Sequence, residues 1–459
     1  MKATQSRLAN NRQGGATRLC IAPAALRLVL AALALSLLAG CTQWLQPLLP
    51  DLISSPPTAT LPPTRTPEAP FDLTATPEPL PPVGGNITLT VWLPPQFDPQ
   101  AGTPAGDLMK ARLEAFMEDN PGVLIYARIK AASGPGGLLE SLTATTAAAP
   151  RALPSVVALN RSDLEAAALK GLIHPVEGIS TALENPDWYP YARQLASVQG
   201  IPFGLPFAGD ALMLFYRPAA TGGTSPQTWE EILSFGSPMI FAADDPQAML
   251  TLTLYRSLGG LVQDLQNRPA LQAESLEQVL NLFQDGMRRG TFPATTTQFQ
   301  SAGQVWQAFL EGQSDWAVTW SSFYLSSLPP DIAPQVLPSL GTDEFTQAAG
   351  WVWAIAEPDA QRREVSVALA EYLSDVSFLA QWAPAAGYLP VHPTSLNNWQ
   401  PATLQVILSQ VVLSAQVRPT NEVMVSIGPV LREASLAVLR NQASASQAAQ
   451  SAAEKLGAP

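Results

Sequence analysis

Short hydrophobic runs alternate with helix-like segments along most of the chain. The runs predict β-strands at residues 87–92, 123–129, 155–159, 211–216, 316–320, 332–337 and 350–355. Between them, apolar residues recur at helical spacing, as in Met109, Leu113 and Phe116. The glycine-, alanine- and threonine-rich stretch 133–150 fits neither pattern. Strands that alternate with helices predict an α/β fold with largely parallel sheets.

Several helices are expected to start at capping boxes, in which a Ser or Thr and a Glu or Gln three residues later bond the helix N-terminus. The pairs with this spacing are Ser162 and Glu165, Thr228 and Glu231, and Ser275 and Gln278. The first pair places Asn160 and Arg161 at the carboxyl end of a strand, where open α/β sheets bind ligands. A loop that makes only local hydrogen bonds is the alternative interpretation.

The segment 201–217 combines a broken half with a buried half. Its first half is interrupted by Pro202, Gly204, Pro206 and Gly209, which argues against a helix or a central strand. Its second half predicts a strand covered on both faces, and Asp210 lies at the junction. We interpret the segment as a crossing between two lobes. A loop that enters an ordinary core strand is the alternative.

The N-terminus is typical of an exported protein. Residues 1–40 carry five basic side chains and no acidic one, and the apolar block 28–39 is too short to span a bilayer. Small residues followed by Cys41 resemble the lipobox of bacterial lipoproteins, in which the cysteine is lipidated and becomes the new N-terminus. A signal peptide whose cut site happens to precede a cysteine is the alternative.

The next stretch, 41–85, predicts an extended tether. Twelve prolines lie between Pro47 and Pro82, interleaved with Thr and Ser. Such a composition cannot bury a core and favours polyproline-like structure. At about 3.1 Å per residue, the tether would reach on the order of 100 Å.

Charge and cysteine usage exclude several classes of function. The net charge is −12, and removal of residues 1–40 leaves 20 Lys and Arg against 37 Asp and Glu, a net charge of −17. This balance argues against nucleic acid and against an electrostatic membrane patch. The two cysteines are Cys20 and Cys41, so the mature domain should contain no disulfide and no thiolate metal site.

We find no catalytic constellation in the sequence. The two histidines, His174 and His392, are far apart, which argues against a histidine triad or a multi-histidine metal site. No phosphate-binding loop of the Walker type is present. The acidic pairs Asp244–Asp245 and Asp343–Glu344 are expected to be solvated turn residues. We therefore predict neither catalysis nor a metal or other cofactor.

Aromatic residues near strand ends suggest a site for a small ligand. They are Trp320, Phe323, Tyr324, Trp351, Trp353 and Tyr388. Flat rings suit the apolar faces of pyranose rings, while Asp, Asn and Arg suit sugar hydroxyls. For each aromatic residue, a place in the core is the alternative. We assign Trp306, Trp316 and Trp382 to the core.

A set of stretches follows the order of one known protein family. They are ITLTVW, ARLEAFMEDNPGV, PSVVALNRSDLEAAALKGLIHPV, GIPFGLPFAGDALMLFYR, PQTWEEI, FLEGQSDWAVTW, AAGWVWAI, VALAEYLSD and AGYLPVHP. In this ordered set, behind a lipobox, the chain resembles the extracellular solute-binding proteins of ABC importers, specifically the carbohydrate-binding family that includes maltose-binding protein. The stretches cover roughly Asn86 to the C-terminus.

The resemblance implies an α/β, periplasmic-binding-protein-like fold, with two lobes joined by hinge crossings and the ligand enclosed between them. We expect the first lobe at 86–207 and 336–397, and the second lobe at 208–335 and 398–459. The implied ligand contacts are Asp210, Asn160, Arg161, Ser162, Trp320, Phe323 and Trp351.

Three departures from the family's pattern leave the substrate open. Ala349 replaces the first of two glycines that precede the stacking position at Trp351. Ser162 stands where a carboxylate is common, and Val425 and Ile427 stand where some members have an aromatic residue. The departure at Ala349 is small, and the other two weaken the case for a maltodextrin-type ligand.

The predicted function is that of a lipid-anchored, monomeric, non-catalytic binding protein on the extracellular face of a bacterial membrane, or in the periplasm. It would capture a carbohydrate and deliver it to ABC permease subunits. The alternatives are a binding protein for a polyamine, peptide or phosphate ester, a sensory binding domain, and a surface glycoside hydrolase.

Overall fold

The computed structural model describes residues 87–397 and 399–457, which all fall in one compact unit. The predicted signal peptide, the lipobox at Cys41 and the tether lie outside the described residues. The strands are β1 Ile87–Leu93, β2 Val123–Ile129, β3 Val156–Asn160, β4 Ser197–Val198, β5 Ile201–Pro202, β6 Gly204–Tyr216, β7 Met239–Ile240, β8 Trp316–Trp320, β9 Ala333–Gln335, β10 Thr346–Ile355 and β11 Ala415–Val417. All seven strands predicted from the hydrophobic runs are present; β2 and β8 have the predicted ends, and the ends of the other five are shifted.

The α-helices fill most of the intervals between strands. They are α1 Pro104–Asp119, α2 Leu138–Ala148, α3 Arg161–Leu169, α4 Pro190–Ala196, α5 Trp229–Phe235, α6 Met249–Ser257, α7 Ala273–Arg289, α8 Ala302–Leu310, α9 Ser321–Leu325, α10 Ala360–Leu373, α11 Val376–Ala386, α12 Pro393–Leu396, α13 Ala402–Ser414, α14 Asn421–Leu439 and α15 Ala445–Lys455. The stretch left unassigned from sequence contains α2.

The strands form one large mixed sheet in the order β2–β1–β3–β10–β6–β8–β7, with β11 beside β10 and β9 beside β6. The prediction of largely parallel sheets is wrong. Strand β1 is parallel to β2 and β3, but β6 and β10 are antiparallel to each other, and β6 is also antiparallel to β8 and β9. Strand β10 returns along β6 in the opposite direction, which strand and helix alternation cannot reveal.

The buried apolar residues form two hydrophobic cores, and strands of the sheet contribute to both. The first core contains residues of β1, β3, α1, α3, α10 and α11, and the second contains residues of α6, α7, α14 and α15. Strand β6 belongs to both, because Leu205 and Phe207 pack in the first core while Leu214 and Tyr216 pack in the second. The predicted core tryptophans Trp306, Trp316 and Trp382 are all buried.

The prediction that the first half of segment 201–217 cannot be a central strand is wrong. Strand β6 runs without a break from Gly204 to Tyr216, and every one of its residues is buried. Pro206 is tolerated because the pairing with β10 shifts between Trp351 and Val352, leaving Phe207 as the extra residue of a β-bulge. On its other side, β6 pairs with β8 only from Leu212 onward.

The helix caps agree only in part with the predicted capping boxes. The box at Thr228 and Glu231 is confirmed at the start of α5. The one at Ser275 is wrong, because α7 already begins at Ala273. The one at Ser162 is also wrong, because Asn160 caps α3 by accepting a hydrogen bond from the Asp163 backbone N–H at 3.0 Å. Asn is as strong an N-cap as Ser, and the helix starts two residues earlier than predicted.

Candidate ligand-binding site

Polar and aromatic side chains from β3, β6, β8 and β10 meet in one cavity of about 630 Å³. Elements of both cores line it. All seven predicted contacts lie on its walls, and they are Asn160, Arg161, Ser162, Asp210, Trp320, Phe323 and Trp351. The structure thus brings together residues separated by up to about two hundred positions in the chain; contact with a ligand stays a prediction for each of them.

Four half-buried aromatic residues shape the apolar part of the cavity. Trp351 lies on β10, Trp320 ends β8, Phe323 lies on α9, and Tyr388 follows α11. Phe97 packs edge-on against Trp351, with ring centroids 5.4 Å apart, and this contact restricts the orientation of the indole. Trp353, also a candidate from sequence, is instead fully buried and does not line the cavity.

The Asp210 carboxylate anchors the N-terminal turn of α9. Its Oδ1 accepts hydrogen bonds from Ser321 Oγ at 2.6 Å and from the backbone N–H groups of Ser322 and Ala211, both at 3.0 Å. Its Oδ2 accepts one from Ser322 Oγ at 2.6 Å. Only 9% of the residue is exposed. The carboxylate therefore positions Ser322 and Phe323 at the cavity wall.

Burial raises the pKa of Asp210 above its ordinary value of 3.8, and the hydrogen bonds from Ser321, Ser322 and Ala211 act in the opposite direction. At a pH between 3.8, the ordinary pKa that applies to the unfolded chain, and the raised pKa of the folded protein, Asp210 is protonated in the folded state and ionised in the unfolded state. The contribution of this group to the free energy of unfolding is therefore present at acidic pH and is lost as pH rises through the raised pKa.

We expect this loss to be visible when the wild type is compared with Asp210→Asn, which does not titrate. The wild-type free energy of unfolding, minus that of the variant, should fall as pH rises from just below 3.8 to neutrality. Urea unfolding at a series of pH values measures both quantities, and all other titrating groups are common to the two proteins. A difference that stays constant or grows with pH would show that the pKa of Asp210 is not raised.

The first turn of α3 supplies the polar wall opposite α9. The Asn160 side chain caps the helix and also donates from Nδ2 to Asp163 Oδ2 at 3.0 Å. Asp163 lines the cavity. It directly follows Ser162, the position at which a carboxylate is common in the family that the sequence resembles. Burial raises the pKa of Asp163, against the Asn160 hydrogen bond and the charge of Arg418. An acidic group is thus present on this wall after all.

Two guanidinium groups, those of Arg161 and Arg418, also line the cavity. Arg161 Nη2 is 3.9 Å from Glu165 Oε2, and Arg418 donates hydrogen bonds to Asn421 Oδ1 and to the Pro419 carbonyl. Burial lowers the pKa of both arginines, and the carboxylate of Glu165 opposes this effect. Two arginines and three aspartates line the cavity, which therefore offers both donors and acceptors to a polar ligand.

Sequence reasoning missed Asp163, Asp245 and Arg418 as cavity residues. The expectation that the acidic pairs are solvated turn residues is confirmed for Asp343 and Glu344, which are exposed, and holds only in part for Asp244 and Asp245, which lie in the loop before α6 but are half-buried and bonded. Asp245 accepts from the Met249 N–H at 3.1 Å at the start of α6, and burial raises its pKa. Asp244 pairs with Arg432 at 2.5 Å. The position of Asp245, four residues before the apolar helix α6, is the feature of the sequence that could have indicated its role at the start of that helix.

A smaller cavity of about 390 Å³ adjoins the first and shares Ser133 and Asp163 with it. Its other walls are the glycine-rich loop before α2 and the first turn of that helix. Asp163 and Ser133 therefore lie where the two cavities meet.

Residues 87–397 and 399–457 contain no group of three or more His, Asp or Glu side chains arranged to hold a metal ion. Within the same residues, no helix combines the length and the apolar character needed to cross a membrane.

Solved structures share this architecture. The cyclic α-maltosyl-1,6-maltose binding protein of Arthrobacter globiformis superposes with a TM-score of 0.67 at 17% identity, over 82% of this chain and 99% of that chain. Maltose-bound MalE3 of T. maritima gives 0.63 at 18% identity, over 81% and 99%. A tagatose-bound ABC transporter solute-binding protein of Thermotoga lettingae gives 0.62 at 16% identity, over 81% and 98%. No curated protein matches the sequence.

These likenesses define the class of fold: the described chain has the two-lobed α/β architecture of periplasmic binding proteins. A family profile adds the second step. The profile described as bacterial extracellular solute-binding protein matches residues 111–405, well over half of the chain. The chain therefore belongs to the bacterial extracellular solute-binding proteins, a family of binding proteins, as the ordered sequence stretches had suggested.

Proposed function

We propose that the protein binds a carbohydrate in the central cavity and delivers it to the permease of an ABC importer. The observation that carries this proposal is the composition of the cavity. Aromatic rings of Trp320, Phe323 and Trp351 stand on the same cavity as the polar groups of Asp163 and Arg161. Rings can stack on the apolar faces of a sugar, while carboxylate and guanidinium groups bond its hydroxyls.

The proposed ligand contacts are the seven residues expected from sequence, with Asp163, Tyr388 and Arg418 added. Burial, followed by the negative charge of Asp210, raises the pKa of the Tyr388 hydroxyl. This hydroxyl therefore stays protonated at neutral pH and can donate a hydrogen bond to a sugar oxygen. We retain the lobe boundaries 86–207 with 336–397 and 208–335 with 398–459, between which a hinge would close on the ligand.

The proposal also includes the way the protein is anchored to the membrane. Cleavage before Cys41 and lipidation of its thiol would anchor the chain to the outer face of the cytoplasmic membrane. The proline-rich stretch 41–85 would then carry a monomeric binding domain away from the bilayer. In this proposal the chain binds and releases its ligand without catalysing a reaction, and it uses no metal or other cofactor.

A thermal-shift screen of the purified chain tests the ligand class. A solute that binds only the folded state raises the melting temperature, by an amount that grows with its concentration above Kd. We expect one or more sugars or polyols to raise it, and we expect polyamines, peptides and phosphate esters to leave it unchanged. A rise with one of these other solutes, and with no sugar, would overturn the carbohydrate proposal while leaving the family assignment intact.

A further inference from the structure

A buried carboxylate of the first core caps a helix of the second core. Helix α14 begins at Asn421, and its own N-cap residue, Thr420, makes no side-chain capping bond. The Asn421 backbone N–H instead donates to Glu165 Oε1 at 2.8 Å. Glu165 lies on α3, is only 3% exposed, and does not line the ligand cavity. The first N–H groups of a helix have no partner within it, so this bond satisfies one of them from a distant part of the chain.

The two helices belong to different cores. Leu164 and Ala167 of α3 pack in the first core, whereas Val423 and Ile427 of α14 pack in the second. The contact between Glu165 and α14 is therefore a polar link between the two halves of the molecule.

Further hydrogen bonds surround this link. Asn421 Nδ2 donates to the Ser162 carbonyl at 2.9 Å, and Ser162 Oγ donates to Asn421 Oδ1 at 3.1 Å. Arg418 also donates to Asn421 Oδ1. The link consists of directional hydrogen bonds, which depend on the relative position of the two helices far more steeply than apolar packing does.

The same residues reach the ligand cavity. Arg161 and Ser162, in the first turn of α3, and Arg418, just before α14, all line it. Arg161 faces Glu165 at 3.9 Å, and its Nε and Nη1 atoms are buried without a partner among the described residues. A change in the separation of α3 and α14 would therefore move Arg418 with respect to Arg161 and Ser162.

We propose that Glu165 is a latch between the two cores, and that its capping of α14 sets the separation of the lobes and the position of Arg161, Ser162 and Arg418 around the ligand. Glu165 is in this sense a positioning residue. Loss of its carboxylate releases the N-terminus of α14, so the two cores sample a wider range of separations before any ligand binds. This inference depends on the two-lobed fold and not on the chemical class of the ligand.

Distance measurement between two spin labels tests the latch without a ligand. The full chain carries Cys20→Ser and Cys41→Ser, so that introduced cysteines are its only thiols. Labels are attached at Ala111→Cys on α1, which packs in the first core, and at Gln278→Cys on α7, which packs in the second. Both positions are exposed.

We expect Glu165→Ala to broaden the distance distribution and to add population at separations that the wild type does not sample. Glu165→Gln keeps a carbonyl acceptor for the Asn421 N–H, and its distribution should return towards that of the wild type. Asp359→Ala is the matched control, because Asp359 caps α10 by accepting from the Gln361 N–H at 2.9 Å within the first core. It should leave the distribution unchanged.

Asn421→Pro removes the donor of the same hydrogen bond. It replaces Glu165→Ala in this experiment if Glu165→Ala does not fold. Proline is favoured at the first position of a helix, and Thr420 already has the extended ψ of 158° that a residue before proline adopts. The variant removes the N–H group that Glu165 bonds, together with the side chain that bonds Ser162 and Arg418, and it should broaden the distribution as well. Distributions of Glu165→Ala or Asn421→Pro that superimpose on the wild type, or an equal broadening in Asp359→Ala, would overturn the proposal.

Discussion

Replacement of Gly209 by alanine is expected to lower the free energy of unfolding by about 3 kcal/mol, through overpacking and the loss of a buried hydrogen bond. A Cβ atom on Gly209 would lie 2.1 Å from Tyr191 Oη and 3.1 Å from the Leu389 carbonyl oxygen. The Tyr191 ring is buried, and its hydroxyl donates to the Pro390 carbonyl at 2.7 Å. The ring cannot move away without breaking this bond, so the strain remains in the folded state.

Gly303→Ala is the matched control for this variant. The nearest atom to a Cβ on Gly303 is Phe323 Cζ at 3.7 Å, an ordinary contact. Because alanine restricts the unfolded chain and favours helix, we expect a change within about 1 kcal/mol, of stabilising sign. Urea unfolding measures both variants. A Gly209→Ala protein as stable as the wild type would contradict the close packing of β6 against Tyr191.

Replacement of Asp210 by alanine is expected to lower the free energy of unfolding by about 3 kcal/mol, because buried donors lose their acceptor. The Ser321 hydroxyl is completely buried, and the Ser322 N–H at the start of α9 would also lose its partner. We further expect ligand binding to be lost, since α9 carries Phe323 and Ser322 at the cavity wall.

Asp210→Asn distinguishes the effect of the hydrogen bonds that hold α9 from the effect of the negative charge. The amide keeps the shape of the side chain and one acceptor oxygen, so the expected loss of stability is only about 1 kcal/mol. Urea unfolding gives the two stabilities, and a thermal-shift titration with a sugar that stabilises the wild type gives the binding. If Asp210→Ala unfolds like the wild type, the carboxylate does not anchor α9. If both variants also bind normally, Asp210 is not part of the site.

Most strands and helices could be predicted from the local sequence pattern. The errors occur where residues that are distant in the sequence determine the structure. Pro206 and Gly204 argued against a central strand, yet β6 accommodates them. Gly204 is required because a Cβ there would lie 2.1 Å from the Trp353 carbonyl oxygen, and Pro206 falls beside a bulge. Both facts depend on the register with β10, which begins some 130 residues later and leaves no trace in the local sequence.

The site was predictable to the extent that its residues sit in recognisable stretches. The seven residues taken from the family resemblance all line one cavity. Arg418 was not found, because it lies in a short connection between β11 and α14 without any pattern of its own. Asp163 was overlooked because the cap was assigned to Ser162, whereas the Asn160 cap turns the next carboxylate towards the cavity.

The central claim, that the cavity binds a carbohydrate, is tested most directly by calorimetric titration of the purified chain with sugars and polyols. We predict that at least one of them binds with one site per chain, and that Trp351→Ala weakens this binding at least tenfold, about 1.4 kcal/mol, because the stacking surface is lost. Saturable binding of a polyamine, peptide or phosphate ester, with no heat of binding from any sugar or polyol, would contradict the claim. So would a sugar whose affinity is the same for the wild type and for Trp351→Ala.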